Sequence, residues 1–157
     1  MLTWNEFAEV RGDLADAGRS LLYQFGVGLA FLATVRGDGR PRLHPMCPVL
    51  NEDGLFAFII RSPKQRDLLR DGIYAMHSFP CPDNEDAFYL TGEARLVEDA
   101  QLRDRLSVQF VAERAQFAVP APGESDGLFG FGIDSCLLTR TKGHGDPAPD
   151  HTVWRAN

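Results

Sequence analysis

Between Leu29 and Ile60, three strand-length apolar runs are separated by two tight, glycine-bearing turns. Leu29–Arg36 (LAFLATVR) leads into Gly37-Asp38-Gly39, whose glycines permit positive φ. Pro41–Leu50 (PRLHPMCPVL) leads into Asn51-Glu52-Asp53-Gly54, and Leu55–Ile60 (LFAFII) follows. Turns this short join antiparallel neighbours, because a parallel pair needs a crossover of about a dozen residues or more. Pro41, Pro45 and Pro48 cannot donate to a ladder. They predict that the second run is an edge or bulged strand whose backbone is open to a ligand.

Further strands are expected at Ile73–Phe79, Ala87–Val97 (with a bulge at Gly92), Leu128–Thr139 and His151–Arg155. Helices fall between them. Thr3 and Glu6 form a capping box, with Leu2 and Phe7 at staple positions. The stripe Phe7, Val10, Leu14, Ala17 and Leu21 then predicts one N-terminal helix over residues 1–24. A second helix runs from Pro63 to Asp71 and closes at Gly72. A third starts at Asp99 and carries Leu102, Leu106, Phe110 and Val111 on one face. Hairpins interrupted by single helices make the fold mainly β, of the α+β kind: an antiparallel barrel with peripheral helices. No internal repeat or second domain is evident, so residues 1–157 read as one domain.

Composition narrows the function. The net charge of −6 argues against nucleic acid and against anionic membrane, since an acidic surface steers neither toward it. An anionic ligand would therefore need a local basic site. Three cysteines without a spacing motif read as reduced thiols, no apolar run is long enough to span a membrane, and no signal-peptide core is seen. A cytoplasmic location is expected.

The basic site is at Ile60-Arg61-Ser62-Pro63-Lys64-Gln65-Arg66. Ser62 suits a helix N-cap, Pro63 the first helical position, and Gln65 the far end of an S-x-x-Q capping box. Free N–H groups and the positive end of the helix dipole collect there. Lys64 is unfavourable for the helix alone and makes sense opposite an anion; Arg61, Arg66 and Arg70 extend the patch. The segment is either a phosphate site or a plain capped surface helix. Along Arg42–Cys47, strand alternation puts Arg42, His44 and Met46 on one face and Leu43 and Cys47 on the other. His44 is either a ligand partner or a satisfied barrel histidine. Its separation from Cys47 across the strand spoils joint metal chelation, and no metal site is expected.

The segments FLATVRGDGRPRLHPMCPVL, FIIRSPKQRDLLRDG, YAMHSFP and FYLTGEARLVED, in this order, resemble the pyridoxamine 5′-phosphate oxidase-like FMN-binding split-barrel superfamily. The resemblance spans about Leu29 to Arg155. It implies a six-stranded antiparallel split β-barrel and a homodimer with two FMN sites at its interface. It implies that Ser62 and Lys64 hold the FMN phosphate, flanked by Ile60 and Gln65. It places the strand of Arg42, His44, Pro45 and Met46 along the flavin, with Arg42 reaching the phosphate or ribityl chain. His77 and Phe79 lie on a strand that approaches the cofactor, and Trp154 and Arg155 near a tail that closes over the neighbouring subunit's site. The implied function is an FMN-dependent oxidoreductase with an unknown small-molecule substrate. Two departures stand against pyridoxamine phosphate oxidation itself. Cys47 occupies the place of a lysine five residues after the strand's arginine, and no arginine-and-histidine motif follows Trp154. Relatives that use the deazaflavin F420, relatives that bind heme, and a non-catalytic flavin-binding protein are the alternatives.

Overall fold

The first run becomes β1 (Ala30–Val35) and turns back through Gly39, at φ 80°, onto β2 (Pro41–Met46). The pair runs antiparallel from Ala30↔Met46 to Val35↔Pro41, and β2 lies at an edge of the sheet, where its prolines leave no ladder bond unmade. The structure, a computed structural model, describes residues 1–156. The second run does not continue as one strand. It breaks at Cys47-Pro48 and resumes as β3 (Val49–Asn51), which pairs with β4 (Gly54–Ile59).

The remaining strands are β5 (Ile73–Ser78), β6 (Ala87–Leu96), β7 (Gly127–Phe131), β8 (Ser135–Arg140) and β9 (Asp150–Arg155). They complete a curled antiparallel sheet in the order β2-β1-β5-β6-β7-β4-β3, with β8 on β6 and β9 on β8. The described residues thus form nine strands where six were expected. The expected strand Leu128–Thr139 is two, split at the corner Gly132–Asp134. Along one edge, β6 pairs first with β8 through Thr91 and then with β7 from Ala94. The changeover falls at Gly92, which is not a bulge: its register with β5 is unbroken from Tyr89 to Glu93. Glycine is needed there because a Cβ would stand 2.0 Å from the Gly132 carbonyl oxygen.

The N-terminal helix is also two helices, α1 (Trp4–Val10) and α2 (Gly12–Leu22). The capping box forms as expected: Thr3 Oγ1 accepts the Glu6 N–H, and the Glu6 carboxylate accepts the Thr3 N–H at 2.7 Å. Arg11, at φ −140° and ψ 63°, breaks the helix. The break leaves Val10 60% exposed, while Phe7, Leu14, Ala17 and Leu21 stay buried. α1 and α2 cover the concave side of the sheet, where Phe7, Leu14, Leu22, Leu32, Met76, Phe88 and Leu90 form the core. Each such side chain contributes about 1.5–3 kcal/mol on burial. A smaller cluster of Val49, Phe56, Leu106 and Leu128 lies under α4 (Ala100–Glu113).

The outer face is different. Registers place Pro45, Phe31, His77, Tyr89, Leu137 and Val153 in one row across β2, β1, β5, β6, β8 and β9. Leu43, Ala33, Ala75 and Thr91 form the next row. Much of this face is apolar and solvent-exposed, Leu43 and Ile73 among it.

Candidate anion site at the start of helix α3

Helix α3 (Pro63–Asp71) has the bounds its local signals predict. Ser62 is the N-cap, in extended conformation, and its Oγ accepts the Gln65 N–H at 3.3 Å; Pro63 follows, and Gly72 at φ 70° ends the helix. The reciprocal half of the capping box is replaced. Gln65 turns inward, and its Nε2 donates to the carbonyls of Ile59 at 2.8 Å and Ser125 at 3.2 Å. Burial of this amide is offset by those two bonds, which tie α3 to the end of β4 and to the loop before β7.

Five of the candidate residues meet at this helix start. Arg42 and His44, two apart on β2, face Ile60, Ser62 and Lys64 across a cleft of about 210 Å³. Lys64 has no carboxylate partner within ion-pair distance among the described residues. Burial depresses its pKa below the usual lysine value, against a smaller opposing pull from Cys47. An anion in the cleft would reverse that cost by favouring the charged ammonium.

Arg42 is held from behind. Its Nε donates to Asp67 Oδ2 at 2.8 Å, and Asp67 also accepts from Thr34 Oγ1 at 2.9 Å and Arg70 Nη1 at 3.4 Å. Burial pushes the Asp67 carboxyl upward, yet the Arg42 guanidinium and the Thr34 hydroxyl outweigh it and hold the pKa below the usual carboxylate range. Arg42 and Pro63 also border a second, polar cleft of about 330 Å³ lined by Arg36, Arg66 and Arg70 with Asp38 and Asp67. Arg66 and Arg70 lie in the basic patch seen in the sequence. Asp67 was missed there; the one signal for it is an acid inside an otherwise basic stretch, PKQRDLLRD.

The other candidates lie apart. Met46 is buried beneath the sheet. Pro45 and His77 sit on the outer face on either side of Phe31, and His77 Nδ1 lies 2.6 Å from the Ser78 carbonyl oxygen. Trp154 packs on the opposite side of the sheet, its ring 5.0 Å from that of Phe7. Among the described residues no cluster of His, Cys, Asp and Glu could hold a metal ion, and no helix is long and apolar enough to cross a membrane.

No protein-family model matches the sequence, and no curated protein matches it significantly. Solved structures do match. General stress protein 26 from Bacillus anthracis is similar at 17% identity over 90% of this chain and 97% of that one, with a TM-score of 0.64. A candidate pyridoxamine 5′-phosphate oxidase from Listeria innocua is similar at 18% identity over 78% of this chain and 95% of that one, with a TM-score of 0.61. HutZ, a heme storage protein from Vibrio cholerae, is similar at 17% identity over 74% and 87%, with a TM-score of 0.57. Curled sheet, helix placement and neighbours agree on the fold: the chain has the split-barrel architecture of general stress protein 26 and of proteins described as pyridoxamine 5′-phosphate oxidases.

Proposed function

We propose that this protein is an FMN-binding flavoprotein, an oxidoreductase that works as a cytoplasmic homodimer on a small-molecule substrate. The observation that carries the reading is the convergence of Arg42, His44, Ser62 and Lys64 on one cleft at the start of α3. A phosphate monoester fits this donor set. The Ser62 hydroxyl donates, Lys64 and Arg42 neutralise charge, and the helix terminus adds its partial positive charge. Bound FMN supplies the redox chemistry, and the chain binds and orients it. A cleft of about 210 Å³ holds the phosphate end and not the ring, since pockets for whole ligands run to roughly 300–1,000 Å³. The ring would then round the edge strand β2 from the face of Arg42 and His44 to the outer face of Pro45 and His77. A second copy covering that apolar face would enclose it, and the same contact explains why Leu43 and Ile73 are tolerated in the open.

Two other cofactors have support of their own. The cleft of Arg36, Arg66 and Arg70, which shares Arg42 and Pro63 with the phosphate cleft, suits the acidic tail of F420. The likeness to a heme storage protein, with His44 and His77 exposed as ligand candidates, favours heme. Cys47, standing where the oxidases carry lysine, favours a flavin-binding role without catalysis.

An absorbance spectrum of freshly purified protein, with mass spectrometry of whatever heat releases, separates these readings. Flavin bands with the mass of FMN are expected. A Soret band or a deazaflavin spectrum would replace FMN with heme or F420. A colourless protein that refuses all three would overturn the cofactor reading.

A further inference from the structure

We infer that Asp67 is a positioning residue: it aims the Arg42 guanidinium at the anion cleft beside Ser62 and Lys64. This rests on the reading of that cleft as the phosphate site. Asp67 is 5% exposed, and its carboxylate takes three donors from three elements: Thr34 on β1, Arg42 on β2 and Arg70 on α3 itself. Those contacts fix where the carboxylate stands. Arg42 meets it through Nε, at the near side of the guanidinium. The group is planar and rigid, so a fixed Nε–H also fixes the direction of the Nη1 and Nη2 donors. Arg42 lines the cleft that Ser62 and Lys64 line, and its side chain is only 24% exposed. An arginine on an edge strand without such an anchor would sample solvent, and an incoming anion would have to order it first.

Simple electrostatics predicts the opposite effect of removing Asp67. A carboxylate beside an anion site is unfavourable by charge alone, so deleting a bystander aspartate would tighten anion binding. Deleting a positioning aspartate loosens it.

The test titrates cofactor-stripped protein with FMN and with riboflavin, which has the same ring and no phosphate. The ratio of the two Kd values reads the phosphate end alone. Asp67→Ala is expected to lower the preference for FMN about tenfold, the worth of one well-aligned charge-assisted hydrogen bond. Asp67→Asn, which keeps an acceptor oxygen, is expected to regain much of that loss. Arg42→Lys keeps the charge but lacks the Nε contact, and on an exposed edge strand it tests the same point if Asp67→Ala fails to fold; it is expected to lose a similar amount. Adding Asp67→Ala to Arg42→Lys is expected to lose nothing more. A preference for FMN that Asp67→Ala leaves unchanged or increases overturns the inference, as does Arg42→Lys with full preference. A wild-type protein with no preference for FMN over riboflavin overturns the reading of the cleft itself, and the role of Asp67 with it.

Discussion

Gly92 passes so close to Gly132 that a Cβ on Gly92 would stand 2.0 Å from the Gly132 carbonyl oxygen and 3.2 Å from the Asp134 nitrogen. This is where β6 exchanges β8 for β7, with Tyr74 Oη donating to the same Gly132 carbonyl at 3.0 Å. Backbone lies on the far side of the contact, so no flexible side chain can yield. Gly92→Ala is expected to destabilise the fold by about 3 kcal/mol, as overpacking against a fixed backbone does. Urea unfolding checks this through a lowered midpoint at unchanged slope. A variant with the wild-type midpoint would mean that the corner relaxes freely.

At the proposed phosphate site, Lys64 is expected to dominate the charge. Arg42 has Asp67 at its back, whereas Lys64 makes no ion pair among the described residues. Lys64→Ala is expected to weaken FMN binding by about 10–100-fold, the range of one or two charge-assisted hydrogen bonds, and riboflavin binding far less. Flavin fluorescence titration of both ligands checks it. Equal losses for the two would place Lys64 against the ring instead of the phosphate.

The parts of this site that were legible in the sequence are those whose causes are local. Ser62, Pro63 and Gly72 are contiguous signals, and α3 has the bounds they imply. The prolines of β2 mark an edge because each removes a donor wherever it sits. The parts that were not legible depend on distant chain. Asp67 is buried by Arg42 and Thr34, 25 and 33 residues away, and nothing in the helix repeat distinguishes it from a solvated acid. Gln65 had a local partner available and took two carbonyls instead, one of them 60 residues off. The break at Arg11 interrupts an apolar stripe that reads as continuous through it. The corner at Gly132–Asp134 is likewise invisible to a run of strand formers on both sides of it.

Asp86 offers a pH test remote from the cleft. Its carboxylate accepts from Arg140 Nη1 at 2.8 Å, from the Thr141 N–H at 2.7 Å and from the Thr141 hydroxyl at 3.1 Å, clamping the end of β8 to the loop before β6. Burial raises its pKa, and the Arg140 and Thr141 donors lower it by more, so the net shift is downward. A carboxylate depressed in the folded state stabilises fully above its unfolded pKa of about 3.9, and that contribution is lost as pH falls through the folded value. Asp86→Asn is therefore expected to lower Tm at neutral pH, with the gap to wild type closing below about pH 4. Thermal melts from pH 7 to pH 3 check the trend. A gap that stays constant across the range would show that the clamp does not depend on the charge.

The outer sheet face carries the prediction about assembly. Leu43 is 64% exposed and Ile73 50%, on a face where Phe31, Ala33, Ala75, Tyr89 and Leu137 continue the apolar surface across adjacent strands. A monomer that kept this face in water would present an association-prone patch beside an edge strand. A two-fold contact between two copies would bury it, and because β2 contributes both to this face and to the cleft, it would set the proposed phosphate site beside the interface. Light scattering is expected to give twice the 17.4 kDa chain mass. Leu43→Glu with Ile73→Glu places like charges across that contact and is expected to give a monomer with an unchanged far-ultraviolet spectrum. If the face also completes the ring end of the cofactor site, the same variant loses affinity for FMN and riboflavin alike, in contrast to Lys64→Ala. A wild-type monomer at micromolar concentration, or a charged variant that remains dimeric, would assign the face to some other contact.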